Sequence, residues 1–251
     1  ANDFSACVEW YDVLNGDDRN EAVEFLLPLL KLEAPAPWRT LEVGCGTGIY
    51  LSKVAEMGLP VAGIDICPRS LEIAQQKLSK LGNAGPLKEC DMRDLSPDTL
   101  GTFDVVTVLC STLVLLPTLE DVEKALRAIV SVLNPQGIVV LDLPNHAVEI
   151  PQRDREQDHS TYRAEQGRLD LVERSYEQDG FWVEEWHGFI RGPDGKFSTF
   201  VETFQELVLT TEQIEAVLSR CGLQVLYEFA SRSGKPFGEG ASRHVYVCQV
   251  D

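Results

Sequence analysis

The stretch TLEVGCGTGIY, Thr40 to Tyr50, constrains this chain more than any other. An apolar run leads directly into three glycines at alternate positions, Gly44, Gly46 and Gly48, and then into a helical pattern. An open parallel sheet presents its backbone to a ligand in this way, at the carboxyl end of a strand where the strand order reverses. Missing side chains let a ligand lie against the main chain, and glycine permits positive φ. A tight strand-to-helix turn with no ligand would use the same glycines, so the turn alone names no function.

The flanking pattern fixes the class of fold. Apolar residues at helical spacing predict a helix over Glu21 to Leu32, stopped by Pro35 and Pro37, before a first strand from Arg39 to Val43. A helix to Met57-Gly58, the strand PVAGID, a helix from Ser70 to Leu81, the short strand PLKEC, the strand FDVVTVLC, the helix LEDVEKALRAIVSVL and the strand GIVVLDLP follow. Apolar strands alternating with helices predict a doubly wound, mostly parallel, Rossmann-like α/β sheet of seven strands. Residues 145–167 are polar without a clear period and read as a connector. RLDLVERSY, FWVEEWHGFI and FSTFVETFQELVL, joined at two Asp-Gly turns, predict a three-stranded antiparallel meander. A helix capped by Thr210 or Thr211 and ended at Cys221-Gly222, then two strands, complete the sheet. The expected divisions are residues 1–144 for an N-terminal segment and binding core, 145–209 for connector and β lid, and 210–251 for the closing helix and strands.

Charge and cysteine usage narrow the partners. Forty acidic against twenty-two basic side chains give a net charge of −18, which disfavours nucleic acid and anionic membrane as principal partners. Seven cysteines, an odd number with no C-x-x-C pair, argue against a disulfide framework or a zinc site and for a reducing compartment. No apolar run is long enough to span a bilayer, so the expectation is a soluble cytoplasmic protein, monomer or homodimer, without a metal.

Asp65, 21 residues after Gly44, ends the second apolar strand, where a carboxylate accepts hydrogen bonds from the hydroxyls of an adenosine ribose. Nicotinamide dinucleotides and S-adenosylmethionine both fit that geometry. A dinucleotide fingerprint requires G-x-G-x-x-G; here the glycines read G-x-G-x-G, followed by Ile49. Glu42, two positions before the first glycine, suits the ammonium of a methionine moiety better than a pyrophosphate.

At this point the chain resembles the class I S-adenosylmethionine-dependent methyltransferases. The matching residues are LEVGCGTG, Asp65, CDMRDL, FDVVTVLCSTLVLL and VLNPQGIVVLDLP. The resemblance implies that Gly44, Cys45 and Gly46 pass the methionine part, Asp65 holds the ribose, and Ile66 packs on the adenine. It further implies Asp91 at the adenine amino group with Met92 beside it, and Leu109 near the sulfonium. WYDVLNGDDR is similar to the segment that folds over the cofactor in small-molecule methyltransferases, which puts Tyr11 at the methyl group and Arg19 on the cofactor carboxylate.

A β insertion at this point in the chain resembles the lid of N-methyltransferases acting on glycine, sarcosine or amino sugars. Either Phe181, Val183 and Glu185 or Trp182, Glu184 and Trp186 should then face the cleft, with Trp186 and Ser111 as substrate contacts. An amine acceptor needs mainly positioning, whereas a hydroxyl usually needs a base, for which His187, His146 and Tyr11 are candidates. The amino-sugar enzymes tend to carry an aromatic or His after strand four, where this chain has Val114, which leaves nitrogen and oxygen acceptors both open. A nicotinamide oxidoreductase and a non-catalytic adenosyl-ligand sensor are the remaining readings.

Overall fold

A computed structural model describes residues 4–15, 24–25, 29, 39–82, 85–153, 157–238 and 240–250. Of the helix expected over Glu21 to Leu32 only Glu24, Phe25 and Leu29 are described, all three helical, and Arg19 lies outside the described residues. The first helix is α1 (Tyr11–Asn15), preceded by a 3-10 turn at Val8–Trp10. β1 (Thr40–Val43), α2 (Ile49–Glu56), β2 (Val61–Asp65), α3 (Pro68–Lys80) and β3 (Leu87–Glu89) form the first wound half. β4 (Phe103–Val108), α4 (Leu119–Ser131) and β5 (Leu133–Pro144) extend it in the other direction.

With β10 (Leu223–Phe229) and β11 (Arg243–Val250) from the end of the chain, the main sheet runs β10-β11-β5-β4-β1-β2-β3. β1 pairs in parallel with both β2 and β4, so the strand order reverses at β1, directly beneath the three glycines. Side chains from successive residues leave a strand on opposite faces, and both faces are apolar. Leu41, Val43, Val106 and Leu141 pack against Val122, Leu126 and Ile129 of α4 on one side. Val61, Val105 and Val140 pack with Tyr50, Leu51 and Val54 of α2 and Leu78 of α3 on the other. Burying each such side chain contributes on the order of 1.5–3 kcal/mol, and this two-faced core fixes where the strand ends lie.

After β5 the chain forms α5 (His146–Arg153) and a separate antiparallel sheet of β6 (Gln157–Ala164), β7 (Gly167–Gln178), β8 (Phe181–Arg191) and β9 (Phe197–Leu207). The lid therefore has four strands where three were expected, and the connector contains a helix. β6 is an edge strand whose alternation is carried by polar residues, with only Tyr162 and Ala164 packed against the lid's apolar inner face. Periodicity in hydrophobicity could not reveal it. The inner face, with Leu169, Leu171, Trp186 and Phe204, is covered by Cys7 and Trp10 of the N-terminal segment. α6 (Thr211–Arg220) begins with a capping box at Thr210 and Gln213, and the antiparallel strands β10 (Leu223–Phe229) and β11 (Arg243–Val250) finish the main sheet. Among the described residues no helix is long and apolar enough to cross a membrane, and all seven cysteines are free thiols.

Candidate functional site

A cavity of about 540 Å³ opens over the carboxyl ends of β1, β2 and β4. The three glycines that end β1 serve three different purposes, and all have positive φ. Gly44 lies against Thr112: a Cβ there would overlap the threonine methyl. Gly48 starts α2 in the left-handed conformation and lets α3 approach, since a Cβ would lie 2.9 Å from the Cβ of Ala74. Gly46 is the open one: among the described residues only the Tyr11 ring is near its missing side chain, at 3.8 Å. The bare backbone offered to a ligand is thus centred on Gly46.

Asp65 ties this turn to the next strand. Its Oδ2 accepts from the Gly46 N–H at 2.7 Å and its Oδ1 from the Cys67 N–H at 2.8 Å. These two backbone bonds fix the carboxylate at the carboxyl end of β2, on the cavity wall. Ile66, 43% exposed, stands beside it as an apolar plate. On the far wall Arg93 grips Asp91 through Nε and Nη2, at 3.0 and 2.6 Å, and reaches Asp121 with Nη1 at 2.8 Å. The Arg93 hydrogen bonds hold the Asp91 carboxyl below its ordinary range, with burial acting against them.

The N-terminal segment roofs the cavity. Asp12 accepts from the Thr47 hydroxyl and ion-pairs with Lys77, both at 2.5 Å, which docks α1 on the glycine turn and brings Tyr11 over Gly46. Phe4 sits edge-on to Tyr11 at 5.8 Å and contacts Phe204 and Trp186 of the lid at 4.7 and 6.2 Å.

The structure brings Tyr11, Gly44, Gly46, Asp65, Ile66, Asp91 and Met92 together around this cavity, as the sequence suggested. Seven other expected positions do not line it. Glu42 and Cys45 are buried, at 1% exposure each, on the α2 side of the sheet. There burial raises the Cys45 thiol and the Tyr50 hydroxyl, and the Glu42 carboxylate raises both further. Leu109 packs into the core, because the chain turns sharply at Cys110 and it is Cys110 and Thr112 that face the cavity. Ser111 points toward β5 and β11, its hydroxyl accepting from Arg243 Nη2 at 3.2 Å. Trp186 is on the inner face but packs behind Phe4 and Phe204. His187 is exposed on the lid's outer face, opposite Val201, and reaches no reacting group. His146 is buried against Glu206 at 3.1 Å, also away from the cavity lining.

Sequence reasoning missed Phe4, Cys110, Thr112 and the Leu115-Leu116-Pro117 edge that closes the cavity with Gln205. The positions after β4 had a usable signal, since strand ends at the switch point face the ligand. Gln205 had none. Cys110 and Ser111 have φ of 56° and 62°, a left-handed pair without glycine that costs on the order of 1–3 kcal/mol per residue.

A gap beneath Gly46, a strand-end carboxylate and an apolar plate fit an adenosyl ligand, and known proteins agree. The methyltransferase-domain family matches residues 41–141. YqeM of Bacillus subtilis, which is named a methyltransferase without a stated substrate, is 30% identical over 78% of this chain and 77% of its own length. A Streptomyces fradiae enzyme named dTDP-3-amino-3,6-dideoxy-alpha-D-glucopyranose N,N-dimethyltransferase is 25% identical over 90% of this chain and 87% of its own. Among solved structures, the amino pentose methyltransferase CalS10 of Micromonospora echinaspora, with S-adenosylmethionine bound, superposes with a TM-score of 0.74 at 25% identity. It covers 96% of this chain and 94% of that one.

Proposed function

This chain belongs to the class I S-adenosylmethionine-dependent methyltransferases, and on that premise we propose that it methylates a nitrogen of a small molecule. The cofactor is S-adenosylmethionine. Gly46 passes its methionine part under Tyr11, Asp65 holds the ribose, and Ile66, Asp91 and Met92 receive the adenine. Bound there, the cofactor supplies an electrophilic methyl on a sulfonium. This chain's residues orient the acceptor and exclude water.

The observation that carries the nitrogen preference is the make-up of the acceptor end. Beyond Gly46 the described lining is Phe4, Tyr11, Cys110, Thr112, the Leu115-Leu116-Pro117 edge and Gln205, while its carboxylates, Asp65 and Asp91, lie at the adenosine end. No imidazole is among those residues. A neutral amine attacks with its own lone pair and sheds its proton to water afterwards, so positioning in line with the S–CH3 bond is sufficient. A hydroxyl needs its proton removed during attack, a task only Tyr11 or Cys110 could take up here. The amino-sugar relatives support an acceptor amine on a compact ring, and the seven free thiols support action in the cytoplasm or another reducing compartment.

Transfer of labelled methyl from S-adenosylmethionine to a panel of amino sugars, glycine, sarcosine and phenols tests this. Labelled amines are the expected product. Labelled phenols alone would overturn the choice of acceptor atom, and label found only in protein or RNA would overturn the small-molecule reading.

A further inference from the structure

Asp142, near the end of β5, is fully buried. A carboxylate taken out of water must be paired or hydrogen-bonded, and this one collects three donors from three parts of the chain, with a fourth on its backbone carbonyl. Arg243 Nε of β11 lies 2.7 Å from its Oδ1, and Arg232 Nε, from the segment after β10, 3.2 Å from its Oδ2. The Cys110 N–H donates to Oδ2 at 2.9 Å, and the Ser111 N–H donates to the Asp142 backbone carbonyl at 3.0 Å. The two arginines also touch the turn themselves: Arg232 Nη1 donates to Cys110 Sγ at 3.3 Å and Arg243 Nη2 to the Ser111 hydroxyl at 3.2 Å.

These contacts converge on the left-handed Cys110-Ser111 pair. A strained turn persists only where its surroundings over-determine it, and here they do so through Asp142, Arg232 and Arg243, which do not themselves line the cavity. The turn in turn sets the cavity wall: Cys110 and Thr112 face the space beside Gly44 and opposite Tyr11, and the Thr112 methyl fills the gap left at Gly44.

Resting on the methyltransferase reading above, we propose that Asp142 is a positioning residue for methyl transfer. Clamped by Arg232 and Arg243, it holds the Cys110-Ser111 turn as the wall against which the sulfonium methyl and the acceptor are aligned. Arg232 extends this control to the segment between β10 and β11, which the sequence pattern marked only as a link between two strands.

The test compares Asp142→Asn with the unsubstituted full chain, using S-adenosylmethionine labelled with 13C at the methyl as the probe. In Asp142→Asn the methyl resonance of the bound cofactor should move or broaden, while calorimetric affinity for S-adenosylhomocysteine, which lacks the methyl, stays within about twofold. Asp91→Asn, at the adenine end, should weaken both ligands and leave the methyl resonance in place. With an acceptor in hand, Asp142→Asn should lower kcat by about a hundredfold at nearly constant cofactor KM, the effect of a displacement of roughly 1 Å at the reacting centre. Adding Ser111→Gly, which adopts positive φ without strain, should restore part of the methyl signature. If Asp142→Asn does not fold, Arg232→Ala, which leaves the Arg243–Asp142 pair intact, should shift the resonance in the same direction by less. A methyl resonance unmoved in both variants, with only the melting temperature lowered, would make Asp142 a structural residue and overturn the proposal. Failure of the unsubstituted protein to bind either adenosyl compound would instead overturn the cofactor reading, and this proposal with it.

Discussion

The cofactor cavity and the lid both draw carboxylates out of water, and they treat them in opposite ways. In the cavity Asp65 accepts two backbone N–H groups and Asp91 is clasped by Arg93, which holds its carboxyl below the ordinary range. On the lid's inner face burial pushes Glu184 and Glu173 up, and on the adjoining α5 it pushes Glu149 up. Among the described residues the cation paired with Glu184 is Arg153, at 3.8 Å. The cavity's charges are arranged before any ligand arrives, whereas at Glu184, Glu173 and Glu149 burial outweighs the partners present. Substitutions at the first set should therefore harm binding and stability, and at the second they should not.

The largest effect is expected at Asp65. S-adenosylmethionine at about a hundred times its dissociation constant adds roughly 2.7 kcal/mol of stability, and each kcal/mol raises the melting temperature of a domain this size by about 2–4 °C. Asp65→Asn turns an amide N–H toward a backbone donor and loses the ribose partner, so this shift should vanish. Asp65→Ala is the poorer test, because it also unties Gly46 from Cys67. A full ligand shift in Asp65→Asn would move the ribose site elsewhere.

Gly48→Ala comes next, and it separates packing from binding within one motif. The new Cβ would meet Ala74 at 2.9 Å in a backbone of φ 75°, so α2 and α3 must separate, at about 1–3 kcal/mol. The ligand-induced shift should survive in this variant. Loss of it would mean that the third glycine touches the cofactor after all.

Asp91→Asn should cost about 1 kcal/mol at neutral pH, its partly exposed pairing with Arg93 being discounted for solvent. Because the carboxyl titrates lower in the folded chain than in the unfolded one, its contribution is present above the ordinary aspartate value. It is lost as pH falls through the folded value. Melting curves of the two proteins should converge in acid, and a difference that persisted at low pH would assign the effect to shape instead of charge.

This contrast also explains what could be read from the chain. The doubly wound sheet, the glycine turn and Asp65 were legible because a parallel core writes itself as apolar runs and its ligand end as glycine and acid. The Asp-Gly turns fixed two hairpins of the lid for the same reason: Asp179, Gly180 and Gly195 all take the left-handed φ those turns require. β6 was illegible because an edge strand with polar residues on both faces has no hydrophobic period. His187 and Trp186 were misplaced because alternation names two rows without saying which faces the site, and because the N-terminal Phe4 stands between Trp186 and the cavity. Asp142 reads as one polar letter in an apolar strand until Arg232 and Arg243, about a hundred residues away, are folded against it.

The smallest effect should fall at Glu184, and its sign is the sharpest test of the comparison. Burial is the main cause of its raised carboxyl, the Glu206 carboxylate adds to it, and Arg153 and the Trp182 indole N–H, 3.1 Å away, work against it. A group that titrates higher in the folded chain gives its stabilising contribution below the ordinary glutamate value and loses it as pH rises through the folded value. Glu184→Gln keeps an oxygen for Trp182 and removes the charge, so it should raise stability by about 0.5 kcal/mol at pH 8. The gain should fade toward pH 4, where the wild-type side chain is itself neutral. A variant less stable than wild type at pH 8 would show that Arg153 needs the ionised carboxylate, and the lid would then be charge-paired in the same way as the cavity.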